Sequence, residues 1–287
     1  LLERQVVAGA DSIDKRAISD VGSGCGDQER IPAGVYYVPP TYPQSGNSKY
    51  RPAQVARLEE LISYLDELLE VADFQDYGPN GLQVPGAEEV NAVATGVSAQ
   101  LELFERAAEL GAQLVVAHHG LFWDFHTRAI TPAMKRRLRV LFDNDISVAG
   151  YHLPLDGHPE VGNNALICRA LGLVDPVGFG VHGDRTIGFL AAADPPLSLD
   201  ELLERVRAEI NPEPLVFDAG PEQIRRVAVI SGAAAQDMLP AADAGADCFL
   251  TGEPREPAMA QARGEPLEQV SERTTANARA LFPAFGV

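Results

Sequence analysis

No apolar run among the 287 residues approaches eighteen, so nothing in the chain reads as a membrane-spanning helix. Cysteine is scarce. Cys25, Cys168 and Cys248 lie far apart, form no CxxC pair and cannot build a disulfide framework, which points to a reducing cytoplasm. Basic side chains are also few: 23 lysines and arginines stand against 41 carboxylates, a formal net charge of −18. With no basic patch to offset that charge, a phosphate backbone is repelled and nucleic acid is not expected as a partner. No phosphate-binding GxGxxG or GxxxxGK[ST] pattern and no GxSxG elbow occurs, which removes the phosphate loops and the serine-hydrolase nucleophile. The opening Leu1-Leu2-Glu3-Arg4 lacks both an initiator Met and a secretory pattern. What remains is a soluble α/β chain, 46% hydrophobic, long enough to bury its own core without staples.

Residues 1–52 hold six acidic and six basic side chains, so the whole net charge belongs to the rest of the chain. The stretch 31–52 is rich in Pro, Gly, Ser and Tyr, and 1–52 reads as a poorly ordered extension. Beyond it, Val55, Leu58, Leu61, Ile62, Leu65, Leu68 and Leu69 recur at helical spacing. An apolar run at 90–97, a helix from about Leu101 to Leu110 and a second run at 113–117 then make a β-α-β unit. That unit ends at His118-His119-Gly120. A similar sequence recurs at 227–253: Val93 aligns with Val229, Gly96 with Gly232, Gly111 with Gly245, and His118-His119 with Gly252-Glu253. A repeat that occurs twice predicts two related α/β halves, here 53–178 and 179–287, rather than a solenoid.

All six histidines fall between His118 and His182. Neutral imidazole binds Zn, Mn, Fe and Ni, and open α/β sheets present ligands at the carboxyl ends of their strands. Successive strand residues point to opposite faces, so His118 and His119 can share one ion only if the chain turns at Gly120. Otherwise they address two ions about 3.5–4 Å apart, or form a plain hydrogen-bonded pair. The second cluster is Tyr151-His152-Leu153-Pro154-Leu155-Asp156-Gly157-His158, after a short strand at 146–150. Asp156 is its candidate carboxylate ligand, with His152 or His158 behind it. His152 is taken as the catalytic residue, and the bland alternative is an Asx-turn at Asp156. Trp123 and Cys168 read as packing, Asn163-Asn164 as a helix cap, 77–81 as a turn, and Glu253 as a loop carboxylate.

Four segments in this order, Asp76 to Val84, Ala117 to Trp123, Tyr151 to Asp156 and Thr251-Gly252-Glu253, resemble the GTP cyclohydrolase I type 2 homologues. These are also known as Nif-three-like dinuclear-metal hexameric proteins, and the resemblance covers about Ala53 to Arg263. It implies two intertwined α/β halves with mixed sheets and a toroidal homo-hexamer. It further implies two divalent ions per chain, with His118, His119 and Asp156 as metal ligands. The family's terminal Gly-His-His-Ala-Thr-Glu-Arg motif falls on Arg273 to Arg279, where Thr274 and Thr275 replace the histidines and Ala278 the Glu. One ion or none is then expected, unless Glu253 or Glu272 supplies the missing donors. Either true loss or a frameshift is open as the cause: CAC-CAC read one nucleotide later encodes Thr-Thr, and on that hypothesis 1–52 reads as translated sequence upstream of the true start. Three functions stay open: a metal-dependent hydrolase opening a GTP or other purine-like ring, a non-catalytic metal-binding ring, and a degenerate relative.

Overall fold

The computed structural model describes residues 55–255 together with the strand segments Arg4–Val7 and Tyr36–Tyr37. The rest of the expected extension, and the tail with Glu272, Thr274, Thr275 and Ala278, lies outside the described residues. In chain order the strands are β1 (Arg4–Val7), β2 (Tyr36–Tyr37), β3 (Ala56–Arg57), β4 (Gly81–Val84), β5 (Glu89–Val90), β6 (Val93–Ser98), β7 (Leu114–His119) and β8 (Ser147–Gly150). They continue as β9 (Val174–His182), β10 (Arg185–Leu197), β11 (Leu215–Phe217), β12 (Ile224–Ile230) and β13 (Cys248–Thr251). The helices are α1 (Leu58–Leu68), α2 (Leu101–Glu109), α3 (Pro132–Asp143), α4 (Leu153–Gly157), α5 (Asn163–Ala170), α6 (Leu199–Glu209) and α7 (Met238–Asp243).

These elements form two compact units, one of residues 24–155 and one of residues 1–23 with 156–287. In the first, a mixed sheet runs β2-β6-β7-β8-β4, with β6, β7 and β8 parallel and the two edge strands antiparallel. Leu103, Phe104 and Ala107 of α2 and Leu141 of α3 pack on one side with Val115 and Val148. On the other side, Leu58, Leu61, Ile62 and Leu65 of α1 pack with Leu114 and Tyr151. Being covered twice, β8 is buried at every position. Thr131 caps α3 by accepting from the Met134 N–H, and Pro132 opens the helix where a missing donor costs nothing.

The second unit carries the mixed sheet β11-β1-β13-β12-β10-β9, whose central strands β1, β13 and β12 are parallel. Leu202, Leu203 and Val206 of α6 and Ile167 and Leu171 at α5 pack on one face, and Met238 and Ala241 of α7 on the other. A reciprocal capping box between Ser198 and Glu201 starts α6. Helix α5 and the first part of β9, up to residue 178, fall in the first half expected from the sequence but join this unit, because α5 packs on β10 and β9 pairs with it. Cys168 is 1% exposed within this core, as expected, and burial pushes its thiol up to about 12. Gly178, Gly180 and Gly183 have GxGxxG spacing, but they lie on β9 and the hairpin turn into β10, not at a strand-to-helix phosphate loop.

The repeat persists at the level of single hydrogen bonds. Val93 pairs with Leu114 and Val227 with Cys248, partners 21 residues apart in both β-α-β units. Gly111 and Gly245 both adopt positive φ after α2 and α7, at 68° and 83°. Gln113 Oε1 accepts the N–H groups of Asn91 and Ala92, while Asp247 Oδ2 accepts those of Arg225 and Arg226. Val93 therefore corresponds to Val227, and the alignment with Val229 is shifted by two residues. An even shift preserves the alternation of faces, so hydrophobic pattern alone cannot detect it. Asp247→Ala is expected to lower stability by about 2 kcal/mol and Gln113→Ala by about 1 kcal/mol, because bonds to a charged acceptor are the stronger. Urea unfolding of the two variants checks both the size and the order.

Candidate metal centre

Strand β7 ends on His118 and His119, and His152 follows β8 directly, so parallel pairing brings three imidazoles to one edge of the sheet. One ring nitrogen from each lies within 4.8 Å of the other two. The ring centroids of His118 and His119 are 4.6 Å apart, those of His118 and His152 5.1 Å, and those of His119 and His152 5.6 Å. The alternation that separates neighbours along a straight strand does not keep the two adjacent rings apart at this strand end. His152, read from the sequence as the catalytic residue, stands with the pair as a third imidazole donor.

Each ring has a neighbour at Nδ1. That of His118 donates to the Tyr151 carbonyl at 3.0 Å, and that of His152 donates to Asp76 Oδ1 at 2.7 Å. Both bonds place the imidazole lone pair on Nε2, the form in which histidine binds a metal. The hydroxyl of Ser98 is 3.5 Å from Nδ1 of His119, at the outer limit of a bond. Burial, followed by repulsion from His118 and His152, depresses His119 to about 4. A neutral, half-buried imidazole flanked by two others is a ligand in waiting.

Asp76 heads the first segment of the resemblance but is not among the candidate site residues of the sequence. Its carboxylate is 2% exposed and accepts from His152, from Asn80 Nδ2 at 2.9 Å, and from the backbone N–H groups of Tyr77 and Leu153. Burial works against its charge, but the bonds from His152, Asn80 and Leu153 outweigh it and hold the carboxyl below its usual range. Asn80 Oδ1 in turn accepts the His152 N–H at 2.8 Å. The turn read at 77–81, together with Asp76 before it, thus anchors the third histidine. The available signal was one carboxylate heading a run of turn formers, which is also what an ordinary loop looks like.

Trp123 is more than packing. With Pro79, Asn80, Gln83, Phe122 and the rings of His118 and His152 it lines a cavity of about 10 Å³, room for about one water. Its indole stands edge-on to His152 at 5.0 Å, stacks on Phe125 at 5.6 Å and donates to the Gly120 carbonyl.

The other sequence candidates have hydrogen-bond partners of their own. Asp156 begins the second unit, where its buried carboxylate accepts from Asn163 Nδ2 at 2.8 Å and Ser231 Oγ at 3.2 Å. Asn163 and Asn164 do not cap α5, whose N-cap is Gly162. Instead Asn164 is fully buried, accepts the Ser231 N–H and donates to the Ile187 carbonyl, because a strand end needs those backbone groups satisfied. His158 Nδ1 accepts the N–H groups of Glu160 and Val161, so its ring closes a local turn. Glu253 is exposed at the end of β13.

In the metal-free chain, His119 should stay neutral down to about pH 4 while the unfolded chain protonates near 6.5. Between these values the unfolded state binds the extra proton, so stability falls as pH drops from about 6.5 to about 4. His119→Gln should flatten that segment of the profile. Denaturant midpoints measured against pH, with the ring titration followed by NMR, test this.

Residues 56–271 match the model of the Duf34/NIF3 (NGG1p interacting factor 3) family. A GTP cyclohydrolase 1 type 2 homolog of Pseudomonas aeruginosa is 38% identical over 229 residues, covering 80% of this chain and 90% of its own. The protein of that name in Escherichia coli (strain K12) is 40% identical over 209 residues, covering 72% and 83%. Among solved structures, "protein ybgI, unknown function" superposes with a TM-score of 0.68 at 38% identity, covering 73% of this chain and 83% of its own. TTHA1606 from Thermus thermophilus superposes with a TM-score of 0.65 at 31% identity, covering 79% and 95%.

Proposed function

This chain belongs to the Duf34/NIF3 family, and from that membership and its three converging imidazoles we propose a divalent-metal-dependent hydrolase acting on a nucleotide or purine-like substrate. The observation that carries the reading is the donor set: His118, His119 and His152 within 4.8 Å, two of them oriented through Nδ1 by a carbonyl and a carboxylate. Three imidazole nitrogen donors suit Zn, Mn, Fe or Ni and leave a coordination position for water or substrate. A bound ion of this kind lowers the pKa of water toward neutrality and polarises a phosphoryl or carbonyl oxygen.

The chain's own residues prepare that chemistry. Asp76 keeps the proton of His152 on Nδ1 and fixes the ring, while the Tyr151 carbonyl does the same for His118. Burial keeps His119 neutral. Trp123 and Phe122 line the site with apolar surface, which limits its access to water. The purine class is taken from the relatives, whose shared name is GTP cyclohydrolase 1 type 2 homolog.

We further propose a homo-hexamer in the cytoplasm. The edge strand β9 supports association, since Val174, Val177 and Val181 are exposed along it and Val181 is 76% accessible. Cys168 is a buried free thiol, in keeping with a reducing compartment, and no helix among the described residues is long and apolar enough to cross a membrane. Val177→Lys with Val181→Glu should lower the mass in solution, read by light scattering, and an unchanged mass rules out this edge as the interface.

A second reading, a metal-binding ring without catalysis or a degenerate relative, draws support from Thr274, Thr275 and Ala278 standing where the resemblance calls for His, His and Glu. The family match also ends at residue 271. Elemental analysis separates these readings. Near one ion per chain, lost in His119→Ala and held about 10–100-fold more weakly in Asp76→Asn, fits the imidazole site. Metal content unchanged in His119→Ala refutes it. Hydrolysis of GTP or related purine nucleotides that depends on the metal supports the enzyme, and metal binding without turnover supports the ring.

A further inference from the structure

Strand β4 places Gln83 beside the ends of β7 and β8, and its carboxamide is used at both ends. Oε1 accepts the Leu121 N–H at 2.7 Å and Nε2 donates to the Pro79 carbonyl at 2.7 Å. Two glycines make the space for it. A Cβ on Gly120 would meet three atoms of the Gln83 carboxamide before any other atom, with Oε1 at 2.5 Å, and a Cβ on Gly150 would lie 2.6 Å from Nε2. Gly120 has no positive φ, so its missing side chain answers the approach of Gln83 and not a left-handed turn.

The two segments joined by this carboxamide carry the donors and their supports. Pro79 belongs to the run that contains Asp76 and Asn80, which orient His152. Leu121 follows His118-His119-Gly120 and precedes Trp123. The same segments meet again where the Asp124 N–H donates to the Tyr77 carbonyl, and where a Cβ on Gly78 would lie 2.5 Å from the Phe122 carbonyl. Across the glycine pair, Gln83 therefore spans the ends of β7 and β8, the two strands from which the imidazoles are aimed.

We propose that Gln83 is the positioning residue of the histidine cluster, its carboxamide setting the distance between the His118-His119 pair and His152. It touches no reacting atom in this role and acts through the Leu121 amide and the Pro79 carbonyl. The proposal rests on the reading of these histidines as metal donors, and its test contains a readout that does not need the metal.

That test is a double-mutant cycle of Gln83→Ala and Gly120→Ala, with Gln83→Glu as a milder variant that retains the acceptor for Leu121. Zinc affinity, measured by chelator competition on the full chain, should fall about 10–100-fold in each single variant. The double variant should be no weaker than Gln83→Ala alone, because the added methyl then occupies the vacated space. In the metal-free chain, emission from Trp123, the single tryptophan, should shift in Gly120→Ala and in the double variant should match that of Gln83→Ala. Gln83→Glu, which keeps one of the two bonds, should lie between wild type and Gln83→Ala. Additive effects in both readouts, or wild-type zinc affinity in a folded Gln83→Ala chain, overturn the proposal. A wild-type chain that takes up no zinc refutes the metal reading, and coupling in the Trp123 emission then still decides whether Gln83 sets the geometry.

Discussion

In both units the central strands run parallel, and that pairing is the constraint from which the rest of the fold follows. Parallel neighbours cannot be joined by a tight turn, so each pair requires a helix that returns the chain to the starting edge. The return is made in the same way twice, with a glycine in left-handed conformation after α2 and α7 and a side-chain oxygen closing two backbone N–H groups at the start of the sheet. Because strand partners are then 21 residues apart in both copies, their carboxyl ends align on one edge. In the first unit that edge carries the three histidines.

Aligned strand ends would not by themselves make a metal centre. Imidazoles at close range repel one another once protonated, and burial opposes their charge as well, which is why His119 falls to about 4. His119 is consequently a neutral donor over the physiological range. Its orientation comes from groups that never face the donors' common centre: the Tyr151 carbonyl, the Asp76 carboxylate and, through the backbone, the Gln83 carboxamide. Asp76 remains ionised in a buried place because four N–H donors surround it. The aromatic wall of Phe122 and Trp123 completes an environment with little room for bulk water.

Much of the fold was legible in the residues. Apolar spacing marked α1, α2 and the strands β6, β7 and β8, and polar residues at strand exits marked His118, His119 and His152. The repeat was visible as well, although its offset was displaced by two residues, since an alternating pattern looks the same after an even shift. Less was visible of the supports. A carboxylate before a turn, a glutamine on an edge strand and a glycine after two histidines are common residues in common places. Their roles depend on neighbours up to 76 positions away.

Residue chemistry and periodicity alone determined that this chain is α/β, internally repeated, and provided with histidines where strands end, because those properties are written in local spacing. Only the tertiary structure decided that His152 joins the pair and that Asp76 and the Tyr151 carbonyl direct the rings. It also decided that Gly120 and Gly150 are small because Gln83 lies between them. The physical reason is that donor geometry is set by parallel strand register and by hydrogen bonds between distant segments, neither of which has a signature in any one stretch of sequence.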